Sequence, residues 1–236
     1  MSEWAAKRFW TEVSVEPVDG GFAVHLDGRP VKTPAKTLLV LPNRRVADAV
    51  AEEWRAVEGA INPEVMPFTR AANSAHDKVT PQFDEVAAML AAYGESDLLC
   101  YRAESPEALV ARQAAQWDPL LDWASDTYDA RLQITTGVMP VEQSPQAVKN
   151  LAAPLYAADA FELTALHDLV ALSGSLVLAL AVTQRRLTAA EAWDLSRVDE
   201  DWQIEQWGED ETAAQMAEVK QRAFHHAAAL HGMIAD

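Results

Sequence analysis

The chain has a single cysteine, Cys100, among 236 residues, so no disulfide can close within it and a reducing compartment is expected. Long apolar runs are missing too. The most apolar stretch, Leu169 to Val182, is 14 residues long and is interrupted by Ser173, Gly174 and Ser175. A bilayer span takes roughly 20 residues, so this run reads as a buried core helix and membrane insertion is not expected. Positive charge is scarce. Against 36 Asp and Glu there are 19 Lys and Arg, a net charge of −17. Nucleic acids and anionic membrane surfaces are held by clustered cations, which argues against both as partners. The opening MSEWAAKRFW has neither the apolar core of a secretory signal nor the Arg-rich pattern of a transit peptide. Bacterial cytoplasm is the expected location.

The sequence signatures of catalysis are equally sparse. There is no GxxxxGK phosphate loop, GxGxxG, HExxH, GxSxG or CxxC. His226 and His231 lie five apart, off the i, i+3 or i, i+4 spacing of helical metal ligands, and neighbouring His225 and His226 diverge. No nucleotide, metal or other cofactor is expected, and no small-molecule substrate. Arg102 would lower the pKa of the Cys100 thiol, but the apolar LLCY setting favours an inert core cysteine.

Half of the residues are hydrophobic, which suits a globular chain with a sizeable core. Residues 9–41 alternate as strands do, with turn signals at Asp19-Gly20-Gly21 and Asp27-Gly28, and predict an antiparallel meander of three or four strands. A helix from Asn43 to about Glu58 carries Val46, Val50, Trp54 and Val57 at helical spacing, with Trp54 expected to pin it to the sheet. INPEVMPF is expected to be an extended connector, because its two prolines oppose regular helix. From about Thr69 the pattern is helical, apart from extended pieces at 97–102 and 132–141. Helix starts are expected at Ser105-Pro106, Asp118-Pro119 and Ser144-Pro145. Phe161 to Val182 reads as one central helix. A last helix from about Asp210 to Leu230 would turn Met216, Ala223, Phe224 and Ala227 inward. The fold class is α+β: a small N-terminal antiparallel sheet domain with a packed helix, residues 1–72, then a larger all-helical domain, 73–236.

The densest signal is Asp199 to Glu211, DEDWQIEQWGEDE, with seven carboxylates and two tryptophans. No Lys or Arg occurs between Arg197 and Lys220. Thr188 and Glu191 have capping-box spacing, predicting one helix from Ala189 to Trp207 that stops at Gly208. On it Ala192, Leu195, Val198 and Trp202 share one face. Trp193, Ile204 and Trp207 share the opposite one, with Glu200 among them. Charge runs are usually solvated faces and paired aromatics usually core, but carboxylates and large aromatics together suit a protein partner. An acid/base hydrolase using two of the carboxylates is an alternative. So is an acidic module for another basic partner. The acidic stretch nominates no catalytic pair.

Eight stretches in order resemble the assembly chaperones for the alpha subunit of the ATP synthase soluble catalytic sector. They are RFW (8–10), LDGRPVKTP (26–34), AEEW (51–54), MPFTR (66–70), SDLLCYR (96–102), QWDPLLDW (116–123), SGSLVLALA (173–181) and DEDWQIEQWGED (199–210). The resemblance implies a non-enzymatic, two-domain protein that holds the free alpha subunit soluble until a beta subunit replaces it. It implies partner-binding roles for Asp199, Glu200, Asp201, Glu205, Trp207 and Asp210, which the helical face extends to Trp193 and Ile204. Members of this family are also expected in the mitochondrial matrix. His76, in SAHD, stands where an apolar residue is expected.

Overall fold

The computed structural model describes residues 7–235. Residues 1–6, on which the reading of the leader partly rests, lie outside them. The protein is α+β, and its contacts gather into two compact units.

The first unit takes in residues 7–83, Asp159–Ala165 and 229–235. Its sheet is an antiparallel meander of β1 (Val13–Val18), β2 (Gly21–Leu26) and β3 (Arg29–Pro30), in that order. Asp27 and Gly28, at φ +47° and +76°, make the tight second turn, and the Asp27 carboxylate accepts from the Glu12 amide at 2.8 Å. Helix α1 (Arg44–Ala56) starts at Asn43, whose side chain accepts from the Val46 amide at 3.0 Å. Val46, Ala47, Val50 and Ala51 form its buried stripe, in one core with Val24, Leu26 and Leu39. Trp54 lies at the edge of that core rather than inside it. Its ring stands edge-on to Trp10, 5.3 Å between centroids, and Trp10 is the aromatic that is buried.

The prolines of INPEVMPF begin short helices instead of excluding them. Pro63 opens a 3-10 turn (Pro63–Val65) and Pro67 opens α2 (Pro67–Ser74). At the first helical position proline's missing N–H costs nothing. Glu53 on α1 accepts from the Phe68 and Thr69 amides at 2.7 and 2.8 Å, so α1 caps α2. Burial nevertheless raises the Glu53 pKa. His76 fits its apolar surroundings because Nε2 lies 2.6 Å from the Val40 carbonyl, which makes that nitrogen the donor, while its ring sits edge-on to Phe161.

The second unit takes in Asp84–Ala158 and Leu166–Ala228. Helix α3 (Phe83–Ala91) leads into it. The two extended pieces pair with each other as parallel strands, β4 (Tyr101–Arg102) and β5 (Thr135–Thr136). Between them runs α4 (Glu107–Tyr128), and Pro119 lies inside this helix rather than at a new start. Ser144 caps α5 (Pro145–Ala157). The expected central helix is two: α6 (Ala160–Ser173) and α7 (Leu176–Thr183). Gly174, at φ +71°, breaks it. Ser175 then caps α7, donating from its hydroxyl to Asp97 at 2.7 Å, and Asp97 also accepts from the Val177 and Leu99 amides. Full burial pushes the Asp97 carboxyl up to about 6 against those hydrogen bonds. Burial, with Asp97 nearby, likewise drives the Cys100 thiol up to about 12, so it is an inert core thiol. Among the described residues no helix is long and apolar enough to cross a membrane.

Candidate partner-binding surface

Thr188 and Glu191 form the reciprocal capping box at the head of α8 (Ala189–Leu195). The helix does not continue to Trp207. The Ser196 hydroxyl donates to the Trp193 carbonyl at 2.6 Å, and Arg197 leaves the helical region at φ −116°, ψ 15°. A new helix, α9 (Val198–Trp207), follows, with Asp199, Glu200 and Asp201 in its first turn, where the helix dipole favours negative charge. Gly208, at φ +89°, ends it. Asp210 then accepts from the Ala213 amide at 2.8 Å and starts α10 (Glu211–Ala235).

The break resets the helical phase, so faces counted straight across it shift. Trp193 is not exposed as expected. It is 5% accessible, with its ring 5.8 Å from Phe224 and Arg197 stacked on it. On the opposite face Ala192 and Val198 are buried, whereas Leu195 and Trp202 are only half-buried. Met216, expected inside, is 58% exposed on α10, while Phe224 and Ala227 do face the core.

Six of the eight candidate residues line one groove of about 460 Å³ between α9 and α10: Trp193 at its floor, then Glu200, Asp201, Ile204, Trp207 and Asp210. Trp207 is 79% exposed and Ile204 36%. Arg197 lies 4.0 Å from Glu200 and 3.8 Å from Asp201. Partial burial raises the Asp201 pKa, and Arg197 pulls it back. The other two carboxylates turn toward α4. Glu205 is held by both terminal nitrogens of Arg112 at 2.8 Å, which keeps its pKa low, and the same guanidinium stacks on Trp202 at 4.8 Å. Asp199 accepts from buried Gln113 at 2.6 Å, and Gln113 in turn accepts from the Ala103 amide. These two contacts brace α9 on α4, leaving the groove side open.

Arg112 and Gln113 carry this arrangement and were invisible in the sequence, being 93 and 86 positions from the groups they hold. Arg197, three and four residues before Glu200 and Asp201, has helical ion-pair spacing that reveals it. No three His, Cys, Asp or Glu among the described residues are grouped to hold a metal.

The model of a family described as ATP12 chaperone protein matches residues 7–125. The chain belongs to the ATP12 chaperone family. Its role is that of an ATP synthase assembly chaperone, not an enzyme. The crystal structure of Atp12 from Paracoccus denitrificans is 51% identical, covers 98% of this chain and all of its own, and superposes with a TM-score of 0.95. The Atu1473 protein of Agrobacterium tumefaciens is 44% identical over 96% of this chain and 85% of its own, with a TM-score of 0.91. The mitochondrial protein atp12 of Schizosaccharomyces pombe is 22% identical over 219 residues, 88% of this chain and 75% of that protein.

Proposed function

We propose that the chain binds the free alpha subunit of the ATP synthase catalytic sector through the α9–α10 groove, keeps it from aggregating, and yields it to a beta subunit. The observation that carries this reading is Trp207, 79% exposed beside Ile204 on a carboxylate-lined groove. An orphan subunit exposes an apolar interface that aggregates unless covered. A cover that must later leave is best served by a small apolar anchor and steering charges, without a large dry interface. Trp207 and Ile204 supply the anchor, with Trp193 holding the floor from beneath. Glu200, Asp201 and Asp210 line the groove, while Asp199 and Glu205 set its angle on α4. The net charge of −17 favours a partner surface that presents Arg or Lys. Binding belongs to the larger, mainly helical unit, which carries the whole groove, and the protein works in the bacterial cytoplasm.

The test is co-purification from cells that make ATP synthase, asking whether the alpha subunit comes down without beta. Glu200→Lys is expected to leave folding within the ~0.5 kcal/mol typical of surface changes and to abolish protection of the alpha subunit from aggregation. Alpha subunit recovered only together with beta, or early melting of Glu200→Lys, overturns the assignment.

A further inference from the structure

A second groove lies in the same compact unit. It measures about 1000 Å³ and runs along α5, walled by Ala91, Val141, Val148, Ala152, Ala153 and Tyr156. Tyr156 is 51% exposed, and the two residues leading into the groove wall, Val138 and Met139, are 89% and 73% exposed. Large apolar side chains left open beside a groove give a partner segment something to cover. Three charged side chains also line it, Glu95, Glu142 and Lys149, and none has an ion-pair partner among the described residues.

Charge selects the occupant. A second copy would bring another −17 onto the first, and the repulsion of two strongly acidic chains opposes a self-complementary contact through this face. An anionic membrane is opposed for the same reason. An apolar protein segment bearing a basic residue satisfies both parts of the lining: its apolar side chains cover Val148, Tyr156 and Val141, and its cation meets Glu95 and Glu142. We propose that the α5 groove is a second client-binding surface, taking an apolar segment that carries Arg or Lys. The inference rests on the chaperone reading of the chain and adds a site independent of the acidic stretch. Two grooves facing one client would raise its retention by multivalency, without either becoming too tight to release.

The test uses the full chain with a photo-crosslinking phenylalanine analogue in place of Tyr156. The probes are a short synthetic peptide alternating leucine with arginine and its leucine–glutamate counterpart. The arginine peptide is expected to label this position. Glu142→Lys should weaken its binding by about tenfold and Lys149→Glu should strengthen it, as single charges at a partly buried contact do; Lys32→Glu in the first unit should do neither. Equal labelling by both peptides, no labelling, or labelling lost only on Ile204→Asp overturns the proposal, as does a covalent dimer of the chain in place of the peptide adduct. Purified alpha subunit added as competitor separates the two readings. If it displaces the peptide, alpha is the client at this groove. If the peptide labels normally while alpha binds nowhere, the identity of the client fails and the groove stands.

Discussion

Helices α7 and α9 are similar in length and belong to the same compact unit, yet they face opposite environments. Six consecutive residues of α7, Leu176 to Ala181, are buried, whereas on α9 only Val198 is. On α7 there is no polar side to present, so the helix needs neighbours all round and is held by a cap reaching in from Asp97. On α9 carboxylates and tryptophan look outward, and two contacts from α4 fix its orientation. Burial in the first case supplies stability. Exposure in the second leaves apolar area free for a partner, at little expense to the fold.

Trp193, just before the break between α8 and α9, gives the largest test of that contrast. Trp193→Ala removes a ring packed on Phe224 under Arg197 and is expected to cost about 3–5 kcal/mol in denaturant melts. A loss near zero would mean that the buried side of the groove is not structural. Leu178→Ala, in the fully buried run of α7, should cost about 2–5 kcal/mol by the same cavity mechanism.

The α7 cap predicts a smaller effect with a definite sign. The Asp97 pKa is raised from 3.8 to about 6 by burial. Between those values the folded chain keeps a proton that the unfolded chain has released, so stability falls as pH rises from about 4 to 6. At about 1.4 kcal/mol per pKa unit the fall is at most on the order of 2–3 kcal/mol. Asp97→Asn should remove that slope while lowering stability overall, and unfolding curves at the two ends of the window measure it. A slope unchanged in Asp97→Asn would place the titration elsewhere.

The smallest stability effect belongs to the exposed side. Trp207→Ala should shift stability by no more than ~0.5 kcal/mol, because the ring makes little use of the fold, while weakening client binding. Melting alongside client retention separates the two: a large loss of stability would make Trp207 ordinary core.

Much of this was readable from local patterns. The meander followed from alternation and two glycine turns, and the start of α8 from Thr188 and Glu191, because such signals act through hydrogen bonds a few residues apart. The break at Ser196 was missed because a hydroxyl returning to its own turn competes with helix at no cost in hydrophobic pattern. Several family stretches prove to be joints between distant elements. Glu53 of AEEW caps the segment containing MPFTR, and Asp97 of SDLLCYR caps the helix of SGSLVLALA. Their order along the chain signals the family without revealing those contacts.

By itself the sequence determined the α+β class, the acidity, the scarcity of catalytic motifs and the acidic, tryptophan-bearing stretch near the C-terminal end, since composition and short-range periodicity carry all of these. Only the tertiary structure decided which carboxylates face outward. Arg112 and Gln113 claim Glu205 and Asp199 from 93 and 86 positions away, and nothing in local spacing specifies a partner at that range. The α5 groove is tertiary in the same sense. Its walls come from two separated segments, 91–95 and 140–156, each ordinary alone, and its apolar surface exists only where packing leaves them side by side.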